Sequence, residues 1–168
     1  LALLVVGTLE RNRVWDSARS LWEDVVAKSP GNGRAHMNLG LALMEAGELD
    51  RAAGEYDLAV ARAPGYAMAY VNRAILRRAQ GDLAGATADI ERSLALGPDN
   101  IFVRHWAGKH YAETGDLARA AEELARARVV SPRHAETLKL LLDVEARRGR
   151  ADELRGLGAE GVKETRAG

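Results

Sequence analysis

The chain has 168 residues, 47% of them hydrophobic and 29% charged, which are the proportions of a folded domain with a real core and exclude a disordered chain. Its 24 basic and 24 acidic residues cancel, so no summed field draws in nucleic acid or an anionic membrane surface, and a partner has to be recognised locally. The absence of cysteine excludes disulfides and thiolate metal sites and leaves a reducing cytosol and a periplasm equally open.

The chain opens on an apolar run, Leu1-Ala2-Leu3-Leu4-Val5-Val6, much shorter than the roughly 20 residues that cross a bilayer. Two readings stand for it: the first helix of a repeat, or the end of a transmembrane helix lying upstream that tethers the chain to a membrane. A helix is expected from Trp15 to Lys28, stopped by Pro30, because proline has no amide proton and restricts the residue before it. Next come two apolar-periodic segments, one carrying Leu39 and Leu43 and the other Leu49, Ala52, Tyr56 and Ala59, with Gly47 between them and Pro64 after them.

The same markers then return. Prolines 30, 64, 98 and 132, glycines 47, 81, 115 and 149, and alanines 18, 52, 86 and 120 are each spaced by 34 residues, so the chain is a tandem array. Each marker has a physical task in a two-helix unit. The glycine takes the left-handed conformation that ends the first helix, and Asp82 or Asp116 beside it (Glu48 in the earlier copy) caps the amides that open the second. The alanine lets the two helices approach closely, since a larger residue there overpacks by about 1–3 kcal/mol. Trp22, Tyr56, Ile90 and Leu124 are also equivalent and are expected to bury between helices.

The full pattern, with Asn38-Leu39-Gly40, Gly47, Ala52, Tyr56, Ala59 and Pro64, resembles the tetratricopeptide repeat family along essentially the whole chain. The resemblance implies an all-α fold, a right-handed superhelical solenoid of antiparallel helix pairs. It forms a single domain with copies at about 1–32 (partial), 33–66, 67–100, 101–134 and 135–168 (partial, capping). In the last copy Leu154 replaces the small alanine and Gly156, Gly158 and Gly161 weaken any helix beyond it, so this end is expected to cap the stack and then fray. Four residues depart from the family pattern. Arg73 and Arg77 stand at usually apolar positions, with their stems expected along the surface and their charges in water; His36 and Arg104 replace bulky apolar residues.

Signatures of catalysis are missing: there is no HExxH, P-loop, nucleophile elbow, EF-hand loop or CxxC. Gly31 and Gly33 lack the third glycine of a dinucleotide fingerprint and are expected to be turn residues. His36, His105, His110 and His134 are not at the i, i+4 spacing of two ligands on one helix face. Neither an enzyme nor a cofactor or metal is expected.

In the family, the first helices of successive repeats line a concave groove that takes an extended peptide or a helix. The resemblance therefore implies a protein-interaction scaffold for a protein or peptide partner. Counting along each copy puts Met37, Asn38, Leu41 and Glu45 on that face, then Val71, Asn72 and Ile75, then Phe102, His105, Trp106, Lys109 and Glu113, then Lys139, Leu140 and Asp143. The best groove candidates are Asn38, Leu41, Asn72, Ile75, Phe102, His105, Trp106 and Lys109. Asparagines like Asn38 and Asn72 grip a peptide main chain in some members, the competing reading being a bridge between neighbouring helices; exposed aromatics like Phe102 and Trp106 anchor interfaces. The basic clamp of members that bind acidic chaperone tails is absent, since only Asn72 occupies one of its positions.

Two other roles compete. The run Arg11-Asn12, Trp15, Leu21-Trp22, Pro30 and Asn38-Leu39-Gly40 is similar to the junction in bacterial multi-spanning glycosyltransferase-like proteins with C-terminal repeats, which implies a soluble arm with catalysis upstream. Exposed repeat ends could instead drive self-assembly, so a monomer and a weak homo-oligomer are both compatible, as are a cytoplasmic and a membrane-tethered extracytoplasmic location.

Overall fold

The computed structural model describes the backbone of residues 17–166 and the side chains of residues 17–150; Leu1 to Val6 and Trp15 lie outside the described residues. Eight helices and no strand are found among the described residues: α1 (Ala18–Lys28), α2 (Gly33–Glu45), α3 (Leu49–Arg62), α4 (Ala67–Ala79), α5 (Leu83–Leu96), α6 (Ile101–Thr114), α7 (Leu117–Val130) and α8 (Ala135–Arg166). They fall into two compact units, residues 1–96 with α1–α5 and residues 97–168 with α6–α8. In the first, α2 packs on α3 and α4 on α5, with α1 against α2 and α4 against both helices of the preceding pair. In the second, α6 packs on α7, and α8 lies against both.

The hairpins close where the glycines repeat. Gly47, Gly81 and Gly115 have φ of 79°, 86° and 89°, the left-handed region that any side chain would disfavour. At the first two, the amide of the following acid returns to the carbonyl five residues back (Glu48 to Leu43 and Asp82 to Arg77, both 2.9 Å), and the glycine amide returns to Met44 or Arg78 (3.0 Å). These bonds satisfy carbonyls that a helix end leaves free. Asp82 Oδ1 then accepts from the Gly85 amide (2.8 Å) and Asp116 Oδ1 from the Arg119 amide (3.0 Å); Glu48 makes no side-chain cap bond. Caps on the first helices, Asn32 on the amides of Arg34 and Ala35 and Asn100 on those of Phe102 and Val103, go beyond the expectation from sequence. Gly33 is not a turn residue but opens α2, where a β-carbon would stand 2.6 Å from that of Ala63.

The expected turn at Gly149 is not made. A single 32-residue helix, α8, runs through Gly149, Gly156, Gly158 and Gly161 to Arg166, so the backbone stays helical beyond Leu154, where the glycines were expected to weaken it. Glycine costs a helix only about 1 kcal/mol each and keeps its amide, and the positions that hold Glu48-Leu49, Asp82-Leu83 and Asp116-Leu117 are here Arg150-Ala151, with no acid to cap a second helix.

Large residues of the second helices fill space left by small residues of the first. A β-carbon on Gly40 would stand 2.7 Å from the Tyr56 ring, and one on Gly108 2.5 Å from Leu124 Cγ. Tyr56, Ile90 and Leu124 are buried, as are Ala52, Ala86 and Ala120; Trp22 is partly buried against the cluster built on Met37, Leu43 and Tyr56.

The four departures from the family pattern are explained by partners on the second helices. His36 is buried, with Nδ1 2.7 Å from Glu55 and Nε2 3.0 Å from the Pro30 carbonyl. Arg104, also buried, pairs with Glu123. The expectation that Arg73 and Arg77 hold their charges in water is corrected. Arg73 grips the buried Asp89 through Nε (2.9 Å) and Nη2 (2.7 Å) and reaches Asp57 (2.9 Å), while Arg77 Nη1 donates to Asp89 (2.9 Å). Two guanidinium and two carboxylate groups thus balance, which offsets the cost of burying Asp89. No buried side-chain nitrogen or oxygen among the described residues lacks a partner.

Candidate functional site

The candidate groove residues divide between the two units. In the first unit, α2 carries Asn38 and Leu41 and α4 carries Asn72 and Ile75, all half-buried. Asn72 Nδ2 donates to the Met37 sulfur at 2.9 Å, so its amide bridges α4 to α2. Met37 is 7% exposed and Val71 is fully buried, which removes both from the expected face and places them in the core.

In the second unit, the helix turn of α6 that carries Phe102, His105, Trp106 and Lys109 is built by contacts with α8. Asn100 caps α6 and so fixes where its first turn starts. Phe102 is 55% exposed, and its ring meets the His134 ring edge-on at 6.2 Å. One turn on, Trp106 is half-buried; the His105 ring stands T-shaped to it at 6.0 Å, and Lys109 Nζ lies 4.7 Å from its ring centre, a cation–π geometry that holds the indole in place.

His105 belongs to the support rather than the surface. It is buried, as is Thr137, whose hydroxyl lies 2.9 Å from His105 Nδ1 and 2.7 Å from His134 Nδ1. One hydroxyl therefore ties an imidazole of α6 to the residue just before α8, and the Thr137 amide also reaches His134 Nδ1 (3.3 Å). Burial pushes the His105 imidazole below its ordinary range, and His134 and Lys109 add to this against the opposing charge of Glu136. In this chain of contacts His134 Nδ1 accepts from the Thr137 amide, and the Thr137 hydroxyl stands between it and His105 Nδ1. What this arrangement offers is an aromatic surface, Phe102 and Trp106, with a fixed cation beside it.

Among the described residues, no group of three or more His, Cys, Asp or Glu could hold a metal ion, and no helix is long and apolar enough to cross a membrane.

The family model described as tetratricopeptide repeat matches residues 8–67 and 107–164, more than half of the chain. The chain belongs to the tetratricopeptide repeat family. Among functionally curated proteins none matches it. Solved tetratricopeptide structures do, at low identity. MamA superposes with a TM-score of 0.67 at 19% identity over 89% of this chain and 82% of its own. YrrB, described as a tetratricopeptide protein with an unusual peptide-binding site, gives 0.65 at 20% identity over 79% and 68%. The first tetratricopeptide domain of Spaghetti (RPAP3), bound to the HSP90 peptide SRMEEVD, gives 0.65 at 18% identity over 70% and 94%. These likenesses are of fold. Tetratricopeptide hairpins with tight Gly turns therefore account for α2–α3, α4–α5 and α6–α7, and protein–protein interaction is the general role the family supports.

Proposed function

We propose that this tetratricopeptide chain binds a polypeptide segment carrying apolar side chains, with Phe102 and Trp106 as the anchors and Lys109 beside them. The observation that carries the reading is a costly exposed aromatic held rigidly. Phe102 keeps 55% of its surface in solvent although α6 is tied to α8 by the buried His105–Thr137 contact and the half-buried Thr137–His134 contact. A large apolar ring presented on a fixed backbone loses little entropy on binding. Asn38, Leu41, Asn72 and Ile75 form the corresponding half-buried face of the first unit and are the second place for a ligand to lie. That YrrB and the Spaghetti domain take peptides on this fold supports the reading.

The test is affinity capture with the full chain beside a Phe102→Ala, Trp106→Ala double variant of matched helicity. Both rings contact solvent, so the variant should stay folded while losing at least ten-fold in affinity, about 1.4 kcal/mol, for the captured segment. Undiminished binding by the folded variant rejects this face.

A further inference from the structure

One side of α8 is open. In the complete hairpins, the positions equivalent to Leu142 are Gly40, Ala74 and Gly108, all buried under the second helix of their own pair. Leu142 is 73% exposed, and Glu145 and Ala146 beside it are exposed as well. The part of that face carried by Leu142, Glu145 and Ala146 is therefore bare on α8, while Leu138 is half-buried.

Residues 151–166 do not repeat the earlier second helices, but they complement the changed first one. In the earlier pairs a small residue meets a large one 16 positions later: Gly40 and Tyr56, Gly108 and Leu124. In the last copy the order is inverted, with Leu142 large and residue 158 a glycine. In two of the three earlier pairs a basic residue meets an acid 19 positions later: His36 and Glu55, Arg104 and Glu123. Here both positions, 138 and 157, are leucine. Ten positions apart, where Leu43 and Ala53 stand in the first pair, Arg77 and Thr87 in the second and Tyr111 and Ala121 in the third, the last copy has Glu145 and Arg155, of opposite charge. Size, polarity and charge thus change together on both sides of one hairpin register, each change compensating the other. In the straight helix those partners cannot meet, since 16 residues span about 24 Å.

We propose that α8 is a two-state element, and that residues 151–166 fold back at Gly149 to cover the Leu138–Leu142 face. Gly149 holds the place of the left-handed Gly47, Gly81 and Gly115, and the family match runs across it to residue 164. Arg150, standing where Asp82 and Asp116 cap their second helices, keeps the straight form accessible. A second copy is the less suitable occupant: residues 142 and 158 project on nearly opposite sides of a straight helix, about 160° apart, so a two-fold pair of α8 helices cannot use both.

The absence of cysteine makes the test direct. The full-length Leu142→Cys, Gly158→Cys variant, oxidised at low concentration, is expected to form a disulfide within one chain, seen as a faster-migrating monomer and by peptide mapping. No disulfide, or a covalent dimer, overturns the proposal; the dimer would give the face to a second copy. As an independent arm, Gly158→Leu is expected to lower hydrogen-exchange protection of residues 151–166 at least ten-fold, and Leu142→Gly with Gly158→Leu, which restores the size order of the other hairpins, to recover it. Equal protection in all three proteins overturns the proposal too.

Discussion

Gly108→Ala tests the packing logic of the hairpins because its effect should change sign with its neighbour. The new methyl would stand 2.5 Å from Leu124 Cγ and 2.8 Å from one of its methyls, against about 3.5–4.0 Å for carbons in contact. An overlap of about 1 Å has to be relieved. Leu124 is fully buried, and the clash falls on its branching carbon, which no rotamer swings clear, so the cost lies near the upper end of overpacking, about 3 kcal/mol. Alanine returns about 1 kcal/mol of helix propensity, leaving a net loss of about 2 kcal/mol. Leu124→Ala alone should cost about 3 kcal/mol for the lost burial and the cavity. In that background the Gly108 methyl enters the cavity, and Gly108→Ala should become stabilising by about 1 kcal/mol. Urea unfolding followed by helical circular dichroism measures all four corners of the cycle. A Gly108→Ala change that is neutral in the natural chain, or equally harmful in both backgrounds, refutes the contact as the reason for the glycine.

The remaining predictions concern charge. Asp89→Asn keeps the shape but leaves Arg73 and Arg77 against a neutral amide; since their side chains are 16% and 31% exposed, the loss should fall below that of a fully buried pair, at about 2–3 kcal/mol. A urea midpoint unchanged from the natural chain would contradict the network. His105 has its imidazole pushed down by burial, so the fold binds fewer protons than the unfolded chain. Its contribution is fully present above the ordinary imidazole value of about 6.5 and is lost as pH falls below it, with a slope of at most about 1.4 kcal/mol per pH unit. Stability measured from pH 7.5 to 5 should therefore fall more steeply in the natural chain than in His105→Gln, and parallel profiles would remove His105 from the account.

The hairpins were legible because their markers act locally. A glycine at φ 79–89°, an aspartate on the next free amide and a proline after the helix each write their task at one position, and a 34-residue spacing makes the task visible. The ion pairs were not legible from single positions. His36, Arg73, Arg77 and Arg104 read as defects of an apolar pattern because their partners lie on another helix; the signal that would have found His36 and Arg104 is the acid 19 positions after each. The face was legible only in part. Periodicity places Met37, Val71 and His105 beside Phe102 and Trp106, but it cannot say which side of that stripe a neighbouring helix covers, and burial separates them.

What repeats in this chain is therefore a set of pairwise relations more than a set of residues. At the position 19 before Asp89 stands Tyr70, which carries no charge, and yet Asp89 is not left alone: Arg73, one turn further along α4, reaches it with two nitrogens. Had only the residue type mattered, the neutral Tyr70 would have left a carboxylate buried without a cation, at a cost of several kcal/mol. The charge was kept and its address moved by one helical turn. The same rule makes part of the end of α8 readable, because Leu157, Gly158 and Arg155 are anomalies only when compared with Glu123, Leu124 and Ala121 in the preceding copy. Compared instead with Leu138, Leu142 and Glu145, which they would face in a hairpin, residues 157, 158 and 155 are the ones that fit.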